Sequence, residues 1–495
     1  MKKNFLIKKF FQNSLKNLKS KKIFYKYNKK SYSYKDLNNF YIRFLNYISH
    51  FSNSRKKIAT IAEKNFEMYS SIVSIILSKN IWIPINPNLP KKRIENILKE
   101  CQPDFLLVND VNEKNNLYLK KFCRNKEIIL TDFKKIKKSA VTKKKFNEKK
   151  IDDNDISMIF FTSGSTGDPK GVLINYRGFL SSLFEQDRII FKNKKNLIFG
   201  DYHDPSFIIS LNILLLCFFT KSTIVPAINP YDSFLPINHL KENKINVLIT
   251  VPSTLIRLKN YLKANKISNI FEIIIMCGEP FYLDLYKFIL EKINSKNVFN
   301  CYGSTELSPW VFSHKCKKSD IKTFNKFKLI PIGKPFRYTK TLIKKNELLI
   351  SGKMLSSGYL NKNENKEKFV KTQNIFWYKT GDLSEIYKNQ FIVKGRKDRV
   401  VKIKGFRVDL TEIEKFLRDI EKIQNAVCLV KEKNKEKNII CLIQSENKIS
   451  IDKIIFYLNK HIPFYMIPKK FYFIKKFPLN KSGKLDRKNI LKLYQ

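Results

Sequence analysis

The 495-residue sequence lacks several features that mark whole classes of protein. Its eight cysteines include no Cys-x-x-Cys pair and mostly stand among apolar residues, which favours reduced thiols in a cytoplasmic protein. The first thirty residues hold eleven lysines and no acidic residue, but no uninterrupted apolar core, so a secretory signal is not expected. The longest apolar run, 207–219, contains Ser210 and Asn212 and is too short to cross a bilayer. We therefore expect a cytoplasmic protein without a transmembrane segment.

Acidic residues are scarce: 43 Asp and Glu stand against 96 Lys and Arg, which gives a formal net charge of +53. Such a charge is compatible with nucleic-acid binding. The lysines, however, are scattered beside many Asn, Ile, Phe and Tyr residues, as compositional drift would produce. We therefore expect no specific nucleic-acid partner, and tight, sequence-preferring binding at moderate salt would contradict this. Contact of the basic, Phe-rich amino terminus with an anionic membrane surface stays open.

The length of the chain and its hydrophobic content of 43% predict at least two domains with substantial cores. We find no internal repeat. Between Tyr34 and Asp110, helix-like and strand-like segments alternate, which is typical of βα units around a mostly parallel sheet. The helix-like segments are 37–48 and 68–77, and the strand-like ones are 57–62 and 81–85.

Later apolar runs predict strands at 156–161, 244–251 and 271–276, and a helix around 179–184. The lysine-rich segment 134–150 is expected to be a solvated excursion. The strands at 244–251 and 271–276 both stop at small or acidic residues. This ending is consistent with a ligand crevice at the carboxyl edge of a sheet.

The composition changes near Gly395, where a charged turn at 395–399 separates two β-prone runs, 391–393 and 400–403. Behind it, Thr411 and Glu414 form a capping-box signature for a helix with one apolar face. Two more strand-like runs, a helix at 451–459 and a β-prone segment at 471–474 follow. We predict a small α+β domain of about a hundred residues at this end. The apolar face consists of Ile413, Phe416, Leu417 and Ile420.

The strand predicted at 156–161 leads directly into a loop of Thr, Ser and Gly residues that ends in Pro169, Lys170 and Gly171. Such residues let backbone amides and hydroxyls approach a polyphosphate closely, and Lys170 would add a positive charge. The loop is not a Walker A motif, which has four residues between its glycines and ends in Gly-Lys-Ser/Thr. The alternative interpretation is a flexible Gly/Ser turn.

This loop resembles the phosphate-loop signature of the adenylate-forming enzymes, which include acyl- and aryl-CoA synthetases, luciferases and amino-acid-adenylating domains. Four further stretches match the family's pattern in the expected order, so the resemblance covers nearly the whole chain from about Tyr34. It implies an α/β fold: a large amino-terminal domain of βα-layered sheets (1–394), a hinge (395–399) and a small mobile carboxy-terminal domain (400–495). In the loop it implies a catalytic Lys170, a metal contact at Thr166 and nucleotide contacts from Thr162, Ser163, Gly164, Ser165, Thr166 and Gly167.

Two further motifs imply a site for ATP and Mg²⁺. In the stretch 300–306, the resemblance implies that Tyr302 stacks on adenine, Thr305 contacts the α-phosphate and Glu306 holds Mg²⁺, which prefers hard oxygen ligands. In the stretch 378–383, Asp382 would accept hydrogen bonds from both ribose hydroxyls, because a carboxylate offers two acceptor oxygens. The remaining nucleotide contacts implied by the resemblance are Gly278, Glu279, Pro280, Asn300, Cys301, Gly303, Ser304 and Arg396.

The stretch 395–408 resembles the family's hinge motif, in which Asp398 matches the residue about which the carboxy-terminal domain swings. The stretch 478–487 resembles its last motif, in which Lys484 matches the catalytic lysine. Attack of a carboxylate on the α-phosphate brings two anions together, and a lysine that bridges them stabilises the developing charge. By themselves, a charged β-turn and a solvated lysine would be the ordinary interpretations of these two stretches.

The stretch 203–206 resembles the Phe-Asp-x-Ser of amino-acid-adenylating relatives, whose Asp pairs with the α-ammonium group of the substrate. Asp204 and Ser206 match this pattern, while His203 replaces the usual Phe. A turn or helix cap is the alternative role for Asp204. The resemblance implies an apolar, small pocket and thus a small neutral amino acid such as alanine. Its lining would be Pro205, Ile208, Cys277, Cys301, Pro309 and Trp310.

The sequence therefore predicts an enzyme that converts ATP and an amino acid into aminoacyl-AMP and pyrophosphate. Transfer of the aminoacyl group to a phosphopantetheine thiol is expected to follow, on a carrier protein that acts in trans because the chain ends soon after Lys484. Two alternatives stay open: an acyl- or aryl-CoA synthetase, and a degenerate member acting as a basic nucleic-acid or membrane-binding protein. A buried Asp204 facing an uncharged acyl chain would be costly, which argues against the first.

Overall fold

The computed structural model divides the chain into two compact units. The first comprises Met1–Pro87, Glu100–Phe161 and Gly171–Lys397, and the second comprises Asn88–Lys99, Thr162–Lys170 and Asp398–Gln495. The division thus falls between Lys397 and Asp398. The structure describes residues 4–51, 54–113, 116–140, 150–163, 169–192, 194, 196–262, 267–372, 374–433, 436–445, 449–475, 477–478, 490 and 494.

The first unit contains a nine-stranded sheet whose six central strands are parallel neighbours. Their sequences are rich in Ile, Val and Phe without polar alternation, as expected for strands that are covered on both faces. Antiparallel strands lie at both edges. The order across the sheet is Lys334–Pro335, Trp310–Lys315, Val298–Gly303, Ile273–Cys277, Val247–Thr250, Ile198–Asp201, Thr223–Pro226, Ile23–Tyr27 and Lys30–Ser33.

A six-stranded sheet and two smaller sheets complete the strands of the first unit. The six-stranded sheet has the order Ile129–Asp132, Phe105–Val108, Lys57–Ile61, Ile81–Ile85, Ile156–Thr162 and Lys170–Asn175. An antiparallel five-stranded sheet follows in sequence, formed by Thr339–Lys344, Glu347–Gly352, Ile375–Tyr387, Phe369–Thr372 and Gln390–Arg396. A two-stranded sheet pairs Ile267–Phe271 with Ile293–Ser295.

Helices cover these sheets, and residues close to each end in sequence determine where a helix begins or ends. Ser33 and Asp36 form a complete capping box at the start of Tyr34–Ser49. The helix Ile208–Phe219 is buried along almost its whole length, so the longest apolar run is a core helix. The other α-helices of the first unit are Phe5–Leu18, Phe66–Leu77, Leu117–Asn125, Phe133–Lys138, Tyr176–Gln186, Pro230–Phe234, Ile237–Glu242, Pro252–Leu262, Leu283–Lys292, Asp320–Thr323 and Asn365–Lys368. The helix Lys91–Cys101 belongs largely to the second unit.

The second unit has its own core. The hairpin Val400–Ile403 and Phe406–Asp409 leads into the helix Leu410–Arg418, and a three-stranded sheet is formed by Asn425–Lys433, Glu436–Gln444 and Lys470–Ile474. The helix Ile451–Asn459 joins the last two strands. Apolar side chains from the two helices and the sheet pack together, among them Ile413, Leu417, Cys441, Ile443, Ile454 and Leu458.

Most of the predicted elements are confirmed, with ends shifted by one to three residues, but two local predictions were wrong. The segment 134–150 is not wholly a solvated excursion, because Phe133–Lys138 is a helix with Phe133 and Ile136 buried; residues 141–149 lie outside the described part. The predicted capping box at Thr411 is also absent. Asp409 caps that helix instead, with its side chain accepting from the Thr411 amide at 2.9 Å.

The cysteine prediction agrees with the structure, since all eight cysteines are buried and none forms a disulfide. Among the described residues, no helix combines the length and the apolar character needed to cross a membrane.

Candidate active site

Four neighbouring parallel strands of the nine-stranded sheet end at residues that carry small or polar side chains. These are Asp201, Thr250, Cys277 and Gly303. The Thr250 hydroxyl is buried and has no hydrogen-bond partner among the described residues. The first and fourth of these strands lie three spacings, or about 14 Å, apart. The carboxyl edge of this sheet therefore offers the kind of crevice in which open α/β folds bind ligands.

One end of this edge holds a network centred on the Asp382 carboxylate. The Tyr302 hydroxyl donates to Asp382 Oδ2 at 2.5 Å, and the Arg396 guanidinium donates to Asp382 Oδ1 at 2.7 Å and to the Thr380 carbonyl at 3.0 Å. Asp382 and Arg396 are paired across adjacent antiparallel strands. Burial, followed by the charge of Asp382, raises the pKa of Tyr302 well above its ordinary value, so the phenol stays protonated and donates.

Glu306 lies next to this network in the 3₁₀-helix Thr305–Leu307 and is fully buried. Its Oε1 accepts a hydrogen bond from the Tyr359 hydroxyl at 2.8 Å. Tyr359 forms a β-bridge with Val172, on the strand that follows the predicted phosphate loop. The buried Ser304 hydroxyl has no partner within the part of the chain that the structure describes. Polar atoms that are buried without partners commonly mark a site for a ligand or ion.

The tight backbone around this segment explains the glycine in its motif. A Cβ on Gly303 would lie 1.9 Å from the Pro309 carbonyl oxygen, so no larger residue fits. On the neighbouring strand Gly278 has a φ of +81°, which favours glycine. Glu279 accepts from the Ser253 amide at 2.8 Å, while Pro280 is exposed.

The other end of the edge holds Asp204, on the loop after the strand Ile198–Asp201. Its Oδ1 accepts from the Ser206 amide at 2.8 Å and the Ser206 hydroxyl at 2.5 Å, and its Oδ2 accepts from the Asn86 amide group at 2.5 Å. Burial raises the pKa of Asp204, while the bonds from Ser206 and the charge of Lys64 oppose that rise. The carboxylate thus takes part in a turn, as the alternative interpretation held, and keeps partial solvent access.

Sequence reasoning missed a second buried carboxylate, Asp201, and its partner Lys64. The Lys64 ammonium donates to the Asp201 carbonyl at 2.9 Å and lies 3.8 Å from Asp201 Oδ2. The charged residue at the end of an apolar strand was a signal that could have pointed to Asp201. No local signal pointed to Lys64, which is 137 residues away in sequence.

The residues predicted to line the substrate pocket occupy two environments. Cys277 and Cys301 are paired on adjacent strands, and both are buried. Pro309 and Trp310 are also buried. Pro205 and Ile208 keep partial exposure beside Asp204. Asn300, predicted to contact nucleotide, directs its amide group to the carbonyls of Ile330 and Pro331 at 3.2 and 2.9 Å. That contact fixes the strand.

The remaining predicted site residues belong to the second unit. The Ser163 hydroxyl donates to the Arg407 carbonyl at 2.8 Å, and the Asp398 carboxylate accepts from the Val400 amide at 3.3 Å. Thr162 ends its strand, and Lys170 is buried at the start of the next. Gly164, Ser165, Thr166 and Gly167 lie outside the described residues, as does Lys484.

Comparison with known proteins accounts for this arrangement. A family model described as AMP-binding enzyme matches residues 11–360. The chain belongs to the AMP-binding enzyme family. The model for the carboxy-terminal domain of AMP-binding enzymes matches residues 412–484 as well. The resemblance drawn from the motifs is thereby confirmed.

Two relatives of this AMP-binding enzyme differ in how much of their own length the chain matches. Bacitracin synthase 2 of Bacillus licheniformis is 28% identical over 457 residues, which span 87% of this chain but 17% of that protein. The D-alanine–D-alanyl carrier protein ligase of Staphylococcus epidermidis is 26% identical over 456 residues, which span 88% of this chain and 90% of that protein. The chain therefore spans under a fifth of the length of the first relative and most of the second.

Solved structures confirm the fold class. The adenylation domain AlmE of Vibrio cholerae, in complex with glycyl-adenosine-5′-phosphate, superposes with a TM-score of 0.84 and 18% identity, covering 99% of this chain and 98% of that one. The AMP-binding enzyme described here is thus a mixed α/β protein with a large amino-terminal adenylation domain and a small carboxy-terminal domain, as in adenylate-forming enzymes.

Proposed function

We propose that this adenylate-forming enzyme activates an amino acid, converting it with ATP into aminoacyl-AMP and pyrophosphate. The observation that carries the proposal is the position of Asp204. Asp204 is half-buried, its direct partners among the described residues are neutral donors, and it lies at one end of a sheet edge whose other end holds the Asp382 network. A carboxylate in such a place suits an ammonium group.

The nucleotide is proposed to bind at the Asp382 end. Arg396 and Tyr302 hold the Asp382 carboxylate in a fixed orientation, which suits recognition of two neighbouring ribose hydroxyls. Orientation of this kind lowers the ordering cost of binding. Glu279 and the buried Ser304 hydroxyl offer further polar contacts along the same strand ends.

The residues of this end fit a magnesium ion that arrives with the nucleotide. Glu306 and Ser304 supply oxygen ligands, which Mg²⁺ prefers. No group of three or more His, Cys, Asp or Glu side chains able to hold a metal occurs among the described residues. Phosphate oxygens would therefore complete the coordination, and the ion would offset part of the phosphate charge. Thr166, the other predicted ligand, lies outside the described residues.

The proposed reaction has two steps. In the first, an oxygen of the amino-acid carboxylate forms a bond to the α-phosphorus, and the bond to the leaving pyrophosphate breaks. Lys170 and Lys484 are proposed to stabilise the charge on the phosphoryl oxygens. In the second, a phosphopantetheine thiolate attacks the acyl carbonyl and AMP leaves. The carrier-protein ligase and the peptide-synthetase relative support a carrier protein as acceptor, with coenzyme A as the alternative.

A small neutral amino acid is the proposed substrate. The predicted lining residues Cys277, Cys301 and Trp310 are buried and leave no charged group at their positions, and the named relatives include a D-alanine ligase. An acyl-CoA synthetase is the second candidate by family. It is disfavoured because a carboxylate such as Asp204 facing an acyl chain would lack a counter-charge.

Pyrophosphate exchange tests the proposal. The purified chain is assayed with the twenty standard amino acids, D-alanine, acetate, propionate and benzoate, with Mg²⁺ and ATP in each. We expect exchange with a small amino acid at a rate well above that with the acid lacking its amino group. Exchange with acetate or benzoate but with no amino acid would overturn the proposal.

A further inference from the structure

A buried ion pair stands directly behind the proposed amino-acid site. Lys64 follows the strand Lys57–Ile61 of the six-stranded sheet, whereas Asp201 ends a strand of the nine-stranded sheet. The Lys64 side chain is 9% exposed and that of Asp201 is 0% exposed. The desolvation penalty of an ion pair buried to this extent is offset only where hydrogen bonds satisfy both partners. The surrounding residues must therefore be arranged to support this pair.

Both oxygens of the Asp201 carboxylate are already used within the protein. Oδ2 accepts from the Tyr69 hydroxyl at 2.6 Å and from the Ser210 hydroxyl at 2.7 Å, and Oδ1 accepts from the His203 amide at 3.2 Å. With Lys64 beside it, the Asp201 carboxylate already has a counter-charge and hydrogen-bond donors within the protein. Asp204, three residues further on, has only the neutral donors of Ser206 and Asn86 as direct partners in the described part of the chain.

The charge of the cluster follows from its members. Burial lowers the pKa of His203, whose Nε2 donates to the Ile249 carbonyl at 3.1 Å, so the imidazole is neutral. Burial raises the pKa of Tyr69, which stays a neutral phenol. Burial lowers the pKa of Lys64, while the charges of Asp201 and Asp204 oppose that fall. With Lys64 protonated, two carboxylates and one ammonium give a net charge of −1. The titratable groups that face this cluster from the packed elements include Lys64, Tyr69, Asp201, Tyr202, His203, Asp204 and His239, and the charge of Asp232 acts on Tyr202 and His239.

We infer that Lys64 is a positioning residue for the amino-acid end of the site, because by neutralising Asp201 it leaves the single negative charge of the cluster on Asp204. The inference rests on the proposed function and names how its substrate is selected. A substrate that brings one ammonium group completes the charge balance, whereas an uncharged acyl chain leaves it incomplete.

Removal of either partner of the pair should impair the site in opposite ways. In Lys64→Met, Asp201 and Asp204 repel each other, and protonation of Asp204 becomes easier. In Asp201→Asn, the freed Lys64 ammonium turns its charge towards Asp204 and competes with the substrate. The double variant Lys64→Met/Asp201→Asn again contains one carboxylate and no excess cation. Asparagine at 201 still offers an oxygen to Tyr69 and Ser210.

The experiment measures pyrophosphate exchange for wild type, the two single variants, the double variant and Lys64→Arg. The probes are the amino acid that exchanges best in the panel above and its analogue without the amino group, which is propionate in the case of alanine. We expect each single variant to raise the KM for the amino acid about tenfold at pH 7, with the KM for ATP unchanged. The double variant should return to within about threefold of wild type, and Lys64→Arg should retain most of the affinity.

The pH profile separates this role from a structural one. In Lys64→Met the KM for the amino acid should rise by up to about tenfold per unit as the pH falls, because binding needs an ionised Asp204, and the double variant should lose this steepness. If the losses of the single variants add in the double variant, the inference fails while the proposed function stands. If wild type uses propionate as well as alanine, the inference fails, and if it uses propionate but no amino acid, both fail. If one single variant does not fold, the double variant and Lys64→Arg still test the inference. A purely structural pair would leave the KM of the double variant no lower than that of the single variant that folds.

Discussion

The two ends of the site use the same side chain, a partly or fully buried carboxylate, in different surroundings. Asp382 is bound by a guanidinium, from Arg396, and by the Tyr302 hydroxyl. Asp204 is bound by neutral donors alone among its described direct partners, because the nearby ammonium of Lys64 serves Asp201. A carboxylate that already has its counter-charge suits neutral hydroxyls, and one without a direct counter-charge suits a cation. The difference teaches that neighbouring side chains determine which kind of group each aspartate is suited to bind.

The largest expected effect concerns the predicted catalytic lysine, which lies outside the described residues. Lys484→Ala should lower the rate of adenylate formation by about 10²–10³-fold, because it removes charge stabilisation at the reacting phosphate. The KM values for amino acid and ATP should change little, and thiol transfer from a supplied aminoacyl-adenylate should persist. Pyrophosphate exchange and single-turnover transfer measure the two steps. Lys481→Ala, in the same stretch, is the control, and equal loss of both steps would count against a lysine dedicated to adenylation.

Asp204→Asn tests the cationic end of the comparison. The variant keeps an oxygen for Ser206 but loses the charge that faces the ammonium group. We expect kcat/KM for the amino acid to fall about a hundredfold, within the range found when one partner of a buried charged pair is removed, while the KM for ATP is unchanged. The preference for alanine over propionate should disappear. Asp284→Asn, on the helix Leu283–Lys292 and paired with Lys259, provides the control. A variant that still prefers the amino acid would break the assignment.

Asp382→Asn tests the neutral end. It weakens one of two hydrogen bonds to ribose and disturbs the bond from Arg396. We expect the KM for ATP to rise about tenfold, with the KM for the amino acid unaffected. Glu385→Gln, three residues further along the same strand and partly exposed, should leave both values at the wild-type level. Steady-state exchange with each substrate varied in turn gives both constants. A larger effect on the amino acid than on ATP would reverse the comparison.

The smallest effect concerns pH and stability at the amino-acid end. Burial lowers the pKa of His203 and of His239 below their ordinary value of 6.5. The unfolded chain therefore binds protons first, and the stability that the neutral rings contribute is present above pH 6.5 and is lost as the pH falls below it. The free energy of unfolding of the first unit, measured by urea titration at pH 7.5 and 5.5, should fall by up to about 1.4 kcal/mol per histidine for each pH unit below 6.5.

Tryptophan fluorescence can follow this transition, since Trp82, Trp310 and Trp377 all belong to the first unit. His203→Phe should have a shallower pH dependence than wild type, and the exposed His50→Gln should match wild type. An unchanged slope in His203→Phe would show that this ring does not stay neutral.

Much of the fold was predictable because local patterns and tertiary structure agree. The strand Ile81–Ile85 and the helix Ile451–Asn459 have the predicted bounds, since apolar periodicity decides both. The start of the helix Leu410–Arg418 was not predictable, because Asp409 and Thr411, two residues apart, are both good caps and only the chain geometry selects one.

The site was predictable to the extent that its residues stand in local motifs. Tyr302, Glu306 and Asp382 belong to such motifs, and the structure joins Tyr302 to Asp382 by a hydrogen bond. Lys64 belongs to no motif, and its partner Asp201 lies on a different sheet. A pairing of this kind depends on how two sheets pack, which a single sequence does not encode locally.

The most direct test of the central claim is a crystal structure of the full chain with a sulfamoyl analogue of the aminoacyl-adenylate, built on the amino acid that exchanges best. We predict that its ammonium nitrogen lies about 3 Å from an oxygen of Asp204 and that its ribose hydroxyls donate to Asp382. An analogue bound with its ammonium group in solvent, or with its ribose away from Asp382, would contradict the account.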